Sequence, residues 1–154
     1  MKRIVILLFL VICLTGCGIS YTIAKQNVSL NEYVDFRHIH YQTSTTFDYG
    51  SDKNYREYSL YDKKPNVVYS FVVNRVEGTM EEDIEKLKKD NDAKKYQKKI
   101  HGIEWVILEY KDDEWEHHMY FASYDKNEYY RIDFHHAEEG KEFEKQFMNT
   151  VSIE

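Results

Sequence analysis

Cysteine, proline and glycine are all scarce in this chain. Its 154 residues include two cysteines, one proline and six glycines. So few prolines and glycines argue against a low-complexity chain. Both cysteines lie within the first 17 residues, so the rest of the chain has no thiol for disulfides or for cysteine-based redox or nucleophilic chemistry. The domain that follows must be stable through its core alone.

The sequence motifs of several enzyme classes are also missing. There is no G-x-S-x-G elbow, no phosphate-binding loop and no dinucleotide-binding glycine pattern. Four acidic residues crowd one predicted turn, Asp112, Asp113, Glu114 and Glu116, but charged turns are common without any chemistry. We therefore expect a protein that is not an enzyme and has no catalytic residues.

Positive charge is in deficit. Lysine and arginine number 21 against 27 aspartates and glutamates, which gives a net charge of −6. Without residues 1–16, which include Lys2 and Arg3, the charge becomes −8. An acidic surface argues against a nucleic-acid partner and against electrostatic adhesion to anionic lipids.

One long apolar run opens the chain, in MKRIVILLFLVICLTGCG. Lys2 and Arg3 precede eleven consecutive apolar residues, and the small residues Thr15 and Gly16 follow them. This order is the anatomy of a secretory signal. A membrane-spanning helix needs about 20 apolar residues, and this run is much shorter.

The stretch Leu14-Thr15-Gly16-Cys17 resembles the lipobox of bacterial lipoproteins. The resemblance implies cleavage before Cys17 and a diacylglycerol on its thiol, which would hold the protein on the bacterial cell membrane with its domain facing outside the cytoplasm. The alternatives are an ordinary cleaved signal, or an uncleaved anchor, with a cysteine there by chance.

The predicted domain organisation follows from that cleavage. Residues 1–16 form the signal peptide, and residues 17–32 form the lipidated cysteine and a tether, because they show no sustained hydrophobic period. Residues 33–154 form a single domain, a usual size for one hydrophobic core.

Hydrophobic periodicity predicts the elements of that domain. Residues 33–61 read as two or three short strands, and Val67, Tyr69, Phe71 and Val73 mark one face of another strand. A helix follows Gly78. Its signs are a Thr79–Glu82 capping box and an apolar stripe of Met80, Ile84 and Leu87. The polar run at residues 88–99 predicts the end of that helix and a solvated face or loop.

Three strands joined by tight hairpins come next, at residues 102–110, 116–124 and 129–136. Phe143, Phe147 and Val151 then mark a second amphipathic helix. The order of elements predicts an α+β fold in which an antiparallel sheet buries one face under two amphipathic helices.

The second half of the chain resembles the PsbP-like sandwich, a group that includes the bacterial DcrB-like lipoproteins. The resemblance covers about residues 67–154 and depends on the capped helix, the strands GIEWVILEY and YYRIDF, and the final helix. It implies a non-enzymatic accessory or assembly role. We therefore expect an envelope protein as partner.

Histidines form the one cluster of chemically active side chains worth testing. Two-residue turns at Asp112-Asp113 and Lys126-Asn127 would place His117 beside Leu108 and opposite His136, and His118 opposite His135. His118, His135 and nearby Asp133, with His117 and His136 as further candidates, would then suit zinc. The other interpretations are a pH response from close imidazolium ions, or simply solvated histidines. No other cofactor is expected.

Tyrosine is abundant, with 14 residues, and the aromatic fraction is 16%. One interpretation is an aromatic platform for sugars or a cell-wall polymer. The other is that tyrosine suits half-buried strands.

Overall fold

The computed structural model describes residues 20–23, 25–64, 66–136 and 140–154. The predicted signal peptide and Cys17 lie outside these ranges. The strands of the described residues are β1 (Ser20–Ile23), β2 (Gln26–Ser29), β3 (Glu32–Phe36), β4 (Ile39–Thr43), β5 (Asp48–Ser51), β6 (Tyr55–Lys63), β7 (Asn66–Glu77), β8 (Lys94–Ile100), β9 (Ile103–Lys111), β10 (Glu116–Ser123), β11 (Glu128–His136) and β12 (Ser152–Ile153). The helices are α1 (Met80–Asn91) and α2 (Lys141–Met148). None of the helices in these ranges is long and apolar enough to cross a membrane.

Seven strands form one antiparallel sheet in the order β5-β6-β7-β11-β10-β9-β8. Side chains alternate between the two faces of each strand, and both faces are buried in the middle of the sheet. Leu108 and Phe121 pack with Ile84 of α1 on one face. Ile107 and Phe134 belong to the larger core on the other face, which α2 covers.

The two helices therefore lie on opposite faces of the sheet. The α+β class is confirmed in its broad form, but the prediction that both helices cover one face is wrong. A three-stranded sheet, β12-β4-β3, and the β1-β2 hairpin pack on the same face as α2. A sheet with apolar residues on both faces needs cover on both.

Of the predicted tether, residues 17–32, the part that forms β1 and β2 packs on the domain. β1 and β2 pair antiparallel, and Ile23 and Val28 are 2% and 0% exposed in the larger core. Two buried positions in a four-residue strand pair are too few to produce a visible sequence period. The first strand therefore begins only three residues after Cys17.

Other predicted elements compare as follows. The strand through Tyr69, Phe71 and Val73 is confirmed as β7, with these three residues buried. α1 begins after Thr79 as predicted, but the Thr79 side chain makes no capping hydrogen bond. Of the two interpretations of the polar run, the loop is wrong, because Lys94–Ile100 forms the edge strand β8, and most of that strand is exposed, as a solvated face would be. Lysine is typical of such edges, where it discourages pairing with another chain.

The predicted hairpin registers are wrong by one and two residues. His117 pairs with His135 and His118 with Phe134, while His117 faces Tyr110 on the other side. The turns are longer than predicted because aspartates close them. Asp112 Oδ1 accepts hydrogen bonds from the backbone N–H of Glu114 and Trp115 at 2.9 and 2.7 Å. Asp125 Oδ1 accepts one from Asn127 N–H at 2.7 Å.

Replacing Ile23 with alanine tests whether the β1-β2 hairpin is part of the core. We expect Ile23→Ala to lower the free energy of unfolding by about 3 kcal/mol, since a buried isoleucine loses its packing. Asn27→Ala, at an exposed position of the same hairpin, should change it by less than about 0.5 kcal/mol. Chemical unfolding of the purified protein measures both. Equal stability of the two variants would show that this segment is a tether.

Candidate functional site

A buried carboxylate from α2 lies at the centre of one histidine cluster. Glu144 is 4% exposed. Its carboxylate accepts hydrogen bonds from three side chains of the large sheet. His118 Nδ1 lies 2.9 and 2.8 Å from its two oxygens, and His136 Nε2 lies 2.5 Å from Oε2. The Tyr120 hydroxyl donates to Oε1 at 2.5 Å. Because an ionised carboxylate only accepts, both ring nitrogens donate here.

Strand geometry places these donors together. His118 and Tyr120 are two apart in β10, so they share a face, and His136 reaches that face from β11. The imidazole rings of His118 and His136 meet edge to face, with centroids 5.0 Å apart. His136 also stacks on Tyr69, with centroids 5.4 Å apart and planes 7° apart.

The approach of α2 to this stack depends on Gly140, just before the helix. A Cβ at that position would lie 2.1 and 2.6 Å from ring carbons of Tyr69. Any larger residue would push the helix, and Glu144 with it, away from the sheet.

The electrostatics favour the ionised carboxylate. Burial raises the pKa of Glu144, but the hydrogen bonds from His118, His136 and Tyr120 outweigh burial and lower it to about 2. For His118, burial lowers the pKa, while the hydrogen bond and charge of Glu144 raise it by more, so the net pKa is above the ordinary value. Burial and the Glu144 charge also raise the pKa of Tyr120.

The cluster is open to solvent on one side. Glu144 and Tyr120 contribute to the lining of an open pocket of about 320 Å³, together with Lys98, Lys145 and Asn149. His118 keeps 15% of its side chain exposed, whereas His136 is fully buried. The pocket therefore borders the cluster on its Glu144 and Tyr120 side.

His117 and His135 lie on the opposite face of the sheet, towards α1. Their rings meet edge to face with centroids 4.8 Å apart, and the His117 ring stacks on that of Tyr110 with centroids 4.3 Å apart. His117 Nε2 lies 2.7 Å from Asp112 Oδ2. Burial and the neighbouring His117 lower the pKa of His135 to about 4. Among the described residues, this pair and Asp112 do not form a group of three ligand atoms within 4.8 Å of one another.

Asp133 shares that face but has its own partners. Its Oδ2 accepts hydrogen bonds from Arg131 Nε at 2.9 Å and Asn74 Nδ2 at 3.1 Å. Its Oδ1 is buried without a partner among the described residues. Burial raises the pKa of Asp133 to about 6, although the Arg131 charge opposes this shift. Arg131 also binds Asp83 of α1 at 2.9 Å, so this group fastens α1 to the sheet.

The structure therefore does not bring together the predicted set of His118, His135 and Asp133. The register error moved His135 and Asp133 to the wrong face relative to His118. Of the further candidates, His136 joins His118 and His117 does not. In the described part of the chain, three ligand atoms within 4.8 Å of one another occur at His118, His136 and Glu144. Sequence reasoning missed Glu144, whose one signal was its position beside Phe143 on the apolar stripe of α2.

A second feature is a groove lined by aromatic side chains on the smaller sheet side. It encloses about 430 Å³ and is lined by Glu32, Tyr33, Val34, Asp35, Ser44, Phe47, Tyr49, Arg56 and Tyr58. Tyr33 and Tyr49 are 67% and 58% exposed, while Phe47 and Tyr58 are buried. Six of the 14 tyrosines are buried in the two cores, which supports the strand interpretation for those six.

Comparison with solved structures shows the fold. The chain is similar to the solution structure of the cyanobacterial PsbP protein CyanoP from Synechocystis, with a TM-score of 0.55 and 11% identity over 90% of this chain and 96% of that one. It is also similar to a crystal structure from Bacteroides thetaiotaomicron, with a TM-score of 0.52 and 14% identity. That match covers 76% of this chain and 45% of the other, so this chain spans less than half of it.

No protein-family model and no curated protein matches the sequence. The PsbP-like resemblance expected from the sequence is thus supported by the fold. These identities carry information about the fold alone.

Asp133 provides a test of the electrostatics on the α1 face. A buried carboxyl with a raised pKa binds its proton more tightly in the folded state, so its contribution to stability falls as pH rises from about 4 to about 6. Asp133→Asn cannot ionise. We expect the free energy of unfolding of the variant, relative to wild type, to improve by about 2 kcal/mol between pH 4 and pH 7.

Urea unfolding of both proteins across this pH range measures that difference. Asp113→Asn is the matched control because its side chain is exposed, and it should change the free energy of unfolding by less than about 0.5 kcal/mol. A constant difference for Asp133→Asn would show that the buried carboxyl titrates normally.

Proposed function

We propose that this protein is a lipid-anchored lipoprotein of the bacterial envelope whose domain works by binding another envelope protein. The observation that carries the proposal is the groove beside Tyr33 and Tyr49. In the described part of the chain, the large hydrophobic side chains with substantial exposure are Tyr33, Tyr49 and Tyr55. Two of these three line one concave surface.

The chemistry of this groove is that of a protein-binding surface. Tyrosine is enriched at interfaces and in their energetic hot spots, because it buries a large area and keeps a polar group for hydrogen bonding. Phe47 and Tyr58 supply a buried aromatic floor, with centroids 6.4 Å apart. A rigid floor lowers the entropic cost of binding.

Charge narrows the class of partner. Glu32 and Asp35 line the groove, and the Asp35 side chain is 68% exposed. Arg56 lies over the ring of Phe36, 4.2 Å from its centroid, and its Nη1 donates to the backbone oxygens of Asp52 and Tyr55. Asp35 lies 3.6 Å from His40 Nδ1 but stays largely exposed, so the lining offers a partner two carboxylates against one arginine that already donates to the backbone. A segment with an apolar anchor and a neighbouring lysine or arginine fits this surface.

The anchor supports a partner at the membrane. Two residues separate Cys17 from Ser20, the start of β1, and the three Cα-to-Cα steps between them span at most about 11 Å. A diacylglycerol on Cys17 would then hold the domain directly beside the lipid surface. The PsbP-like fold agrees with an accessory role, in which a positioned domain binds a larger assembly.

Cross-linking in intact cells tests the proposal. The tagged full-length chain is compared with the double variant Tyr33→Ala/Tyr49→Ala, and bound proteins are identified by mass spectrometry. We expect one dominant partner, reduced at least about tenfold in the double variant, as expected when two hot-spot residues are removed.

Tyr55→Ala is the matched control. Tyr55 is 37% exposed in β6, but alternation along the strand puts it on the face opposite Arg56 and Tyr58. This variant should retain the partner, and Cys17→Ala should weaken its capture. Equal capture by the wild type and the groove variant would refute binding through the groove.

A further inference from the structure

We propose that His118, His136 and Glu144 form a binding site for a divalent transition metal ion, with zinc as the best-suited metal. The inference is independent of the groove, which lies elsewhere in the domain. It rests on one ring nitrogen from each histidine and a Glu144 oxygen, which lie within 4.8 Å of one another. His118 Nδ1 and His136 Nε2 are the nitrogens that contact Glu144 Oε2, at 2.8 and 2.5 Å.

The set of ligands matches zinc chemistry. Two imidazole nitrogens and one carboxylate oxygen are a known zinc ligand set, and they leave a fourth position open. A metal ion would take the place of the two N–H protons that now point at Glu144. Ligands about 2.1 Å from zinc lie about 3.3 Å from one another. The present spacings of 2.5 and 2.8 Å therefore need to widen by less than about 1 Å.

The surrounding side chains hold the ligands in place. Tyr69 stacks on His136, and the Tyr120 hydroxyl donates to Glu144 Oε1 rather than to the oxygen shared by both histidines. That hydrogen bond can persist when Oε2 binds a metal. Such partners orient ligands and are a usual part of metal sites.

The site also has an entry path. Glu144 and Tyr120 border the open pocket of about 320 Å³. The fourth metal position would be taken by water or by a ligand from this pocket. A buried histidine-carboxylate cluster that serves only for stability has no need of such an opening.

Zinc titration of the purified full-length chain, freed of metal with a chelator, tests the site. Zn²⁺ is titrated in competition with a chromophoric chelator, and Co²⁺ serves as a spectroscopic probe of coordination. We expect one Zn²⁺ per chain and a tetrahedral Co²⁺ spectrum. His118→Ala should weaken zinc binding at least about 100-fold, since removing a ligand costs more than removing one of its supporting partners.

His135→Ala is the matched control, because His135 is the immediate neighbour of His136 but faces the other side of the sheet. It should bind zinc within about threefold of wild type, as expected for a site that it does not touch. Retention of full affinity in His118→Ala, or its loss in His135→Ala alone, would overturn the proposal. So would the absence of stoichiometric binding by the folded wild type.

A measurement on the wild-type protein covers the case in which His118→Ala does not fold. Zinc should shift the imidazole ¹⁵N resonances of two histidines, His118 and His136, and leave those of His117 and His135 unchanged. Shifts confined to any other histidines would contradict the assignment.

Discussion

The arrangement of this domain depends on the hydrogen bonds that the ionised carboxylate of Glu144 accepts from the sheet. A buried charge is costly unless it is paired and hydrogen-bonded. Here two histidines and a tyrosine of the sheet converge on it, and these hydrogen bonds fix the position of α2 against β10 and β11. Truncating Glu144 would remove the shared acceptor of the hydrogen bonds from His118, His136 and Tyr120, which is more costly than losing one hydrogen bond.

The position of α2 in turn supports the other parts of the molecule. The ring of Phe143, next to Glu144, lies 5.4 Å from the ring of Phe47 in the floor of the tyrosine groove, measured between centroids. It also lies 6.0 Å from the ring of Tyr21 in the β1-β2 hairpin. The groove, the hairpin nearest the lipidation motif and the histidine cluster thus meet around one helix. Tyr69 of β7 also joins the groove floor to the histidine cluster, because its ring lies 6.0 Å from that of Phe47 and 5.4 Å from that of His136, centroid to centroid.

Local patterns in the sequence account for part of this structure. The strand through Tyr69 and Phe71 and the helix through Ile84 could be predicted, because each buries one face with a regular period. β8 could not, because most of its seven residues are lysines and it packs through Tyr96 and Ile100 alone. The histidine pairing failed for a different reason. Asp112 and Asp125 close turns that are longer than the two-residue turns predicted. A one-residue shift in strand register moves every side chain of that strand to the other face of the sheet. Glu144 could not be assigned either, since its position beside Phe143 does not indicate which side chains of two distant strands it meets.

The pKa of Glu144 tests this account most directly. The side-chain carboxyl of a selectively ¹³C-labelled, metal-free protein can be followed by NMR between pH 1.5 and pH 7. If His118, His136 and Tyr120 hold the ionised form, the Glu144 resonance will titrate near pH 2. The stability that this group provides will then be lost as the pH falls through that value. A Glu144 pKa at or above the ordinary value of 4.5 would show that the carboxylate is not the acceptor at the centre of the cluster, and would contradict the account.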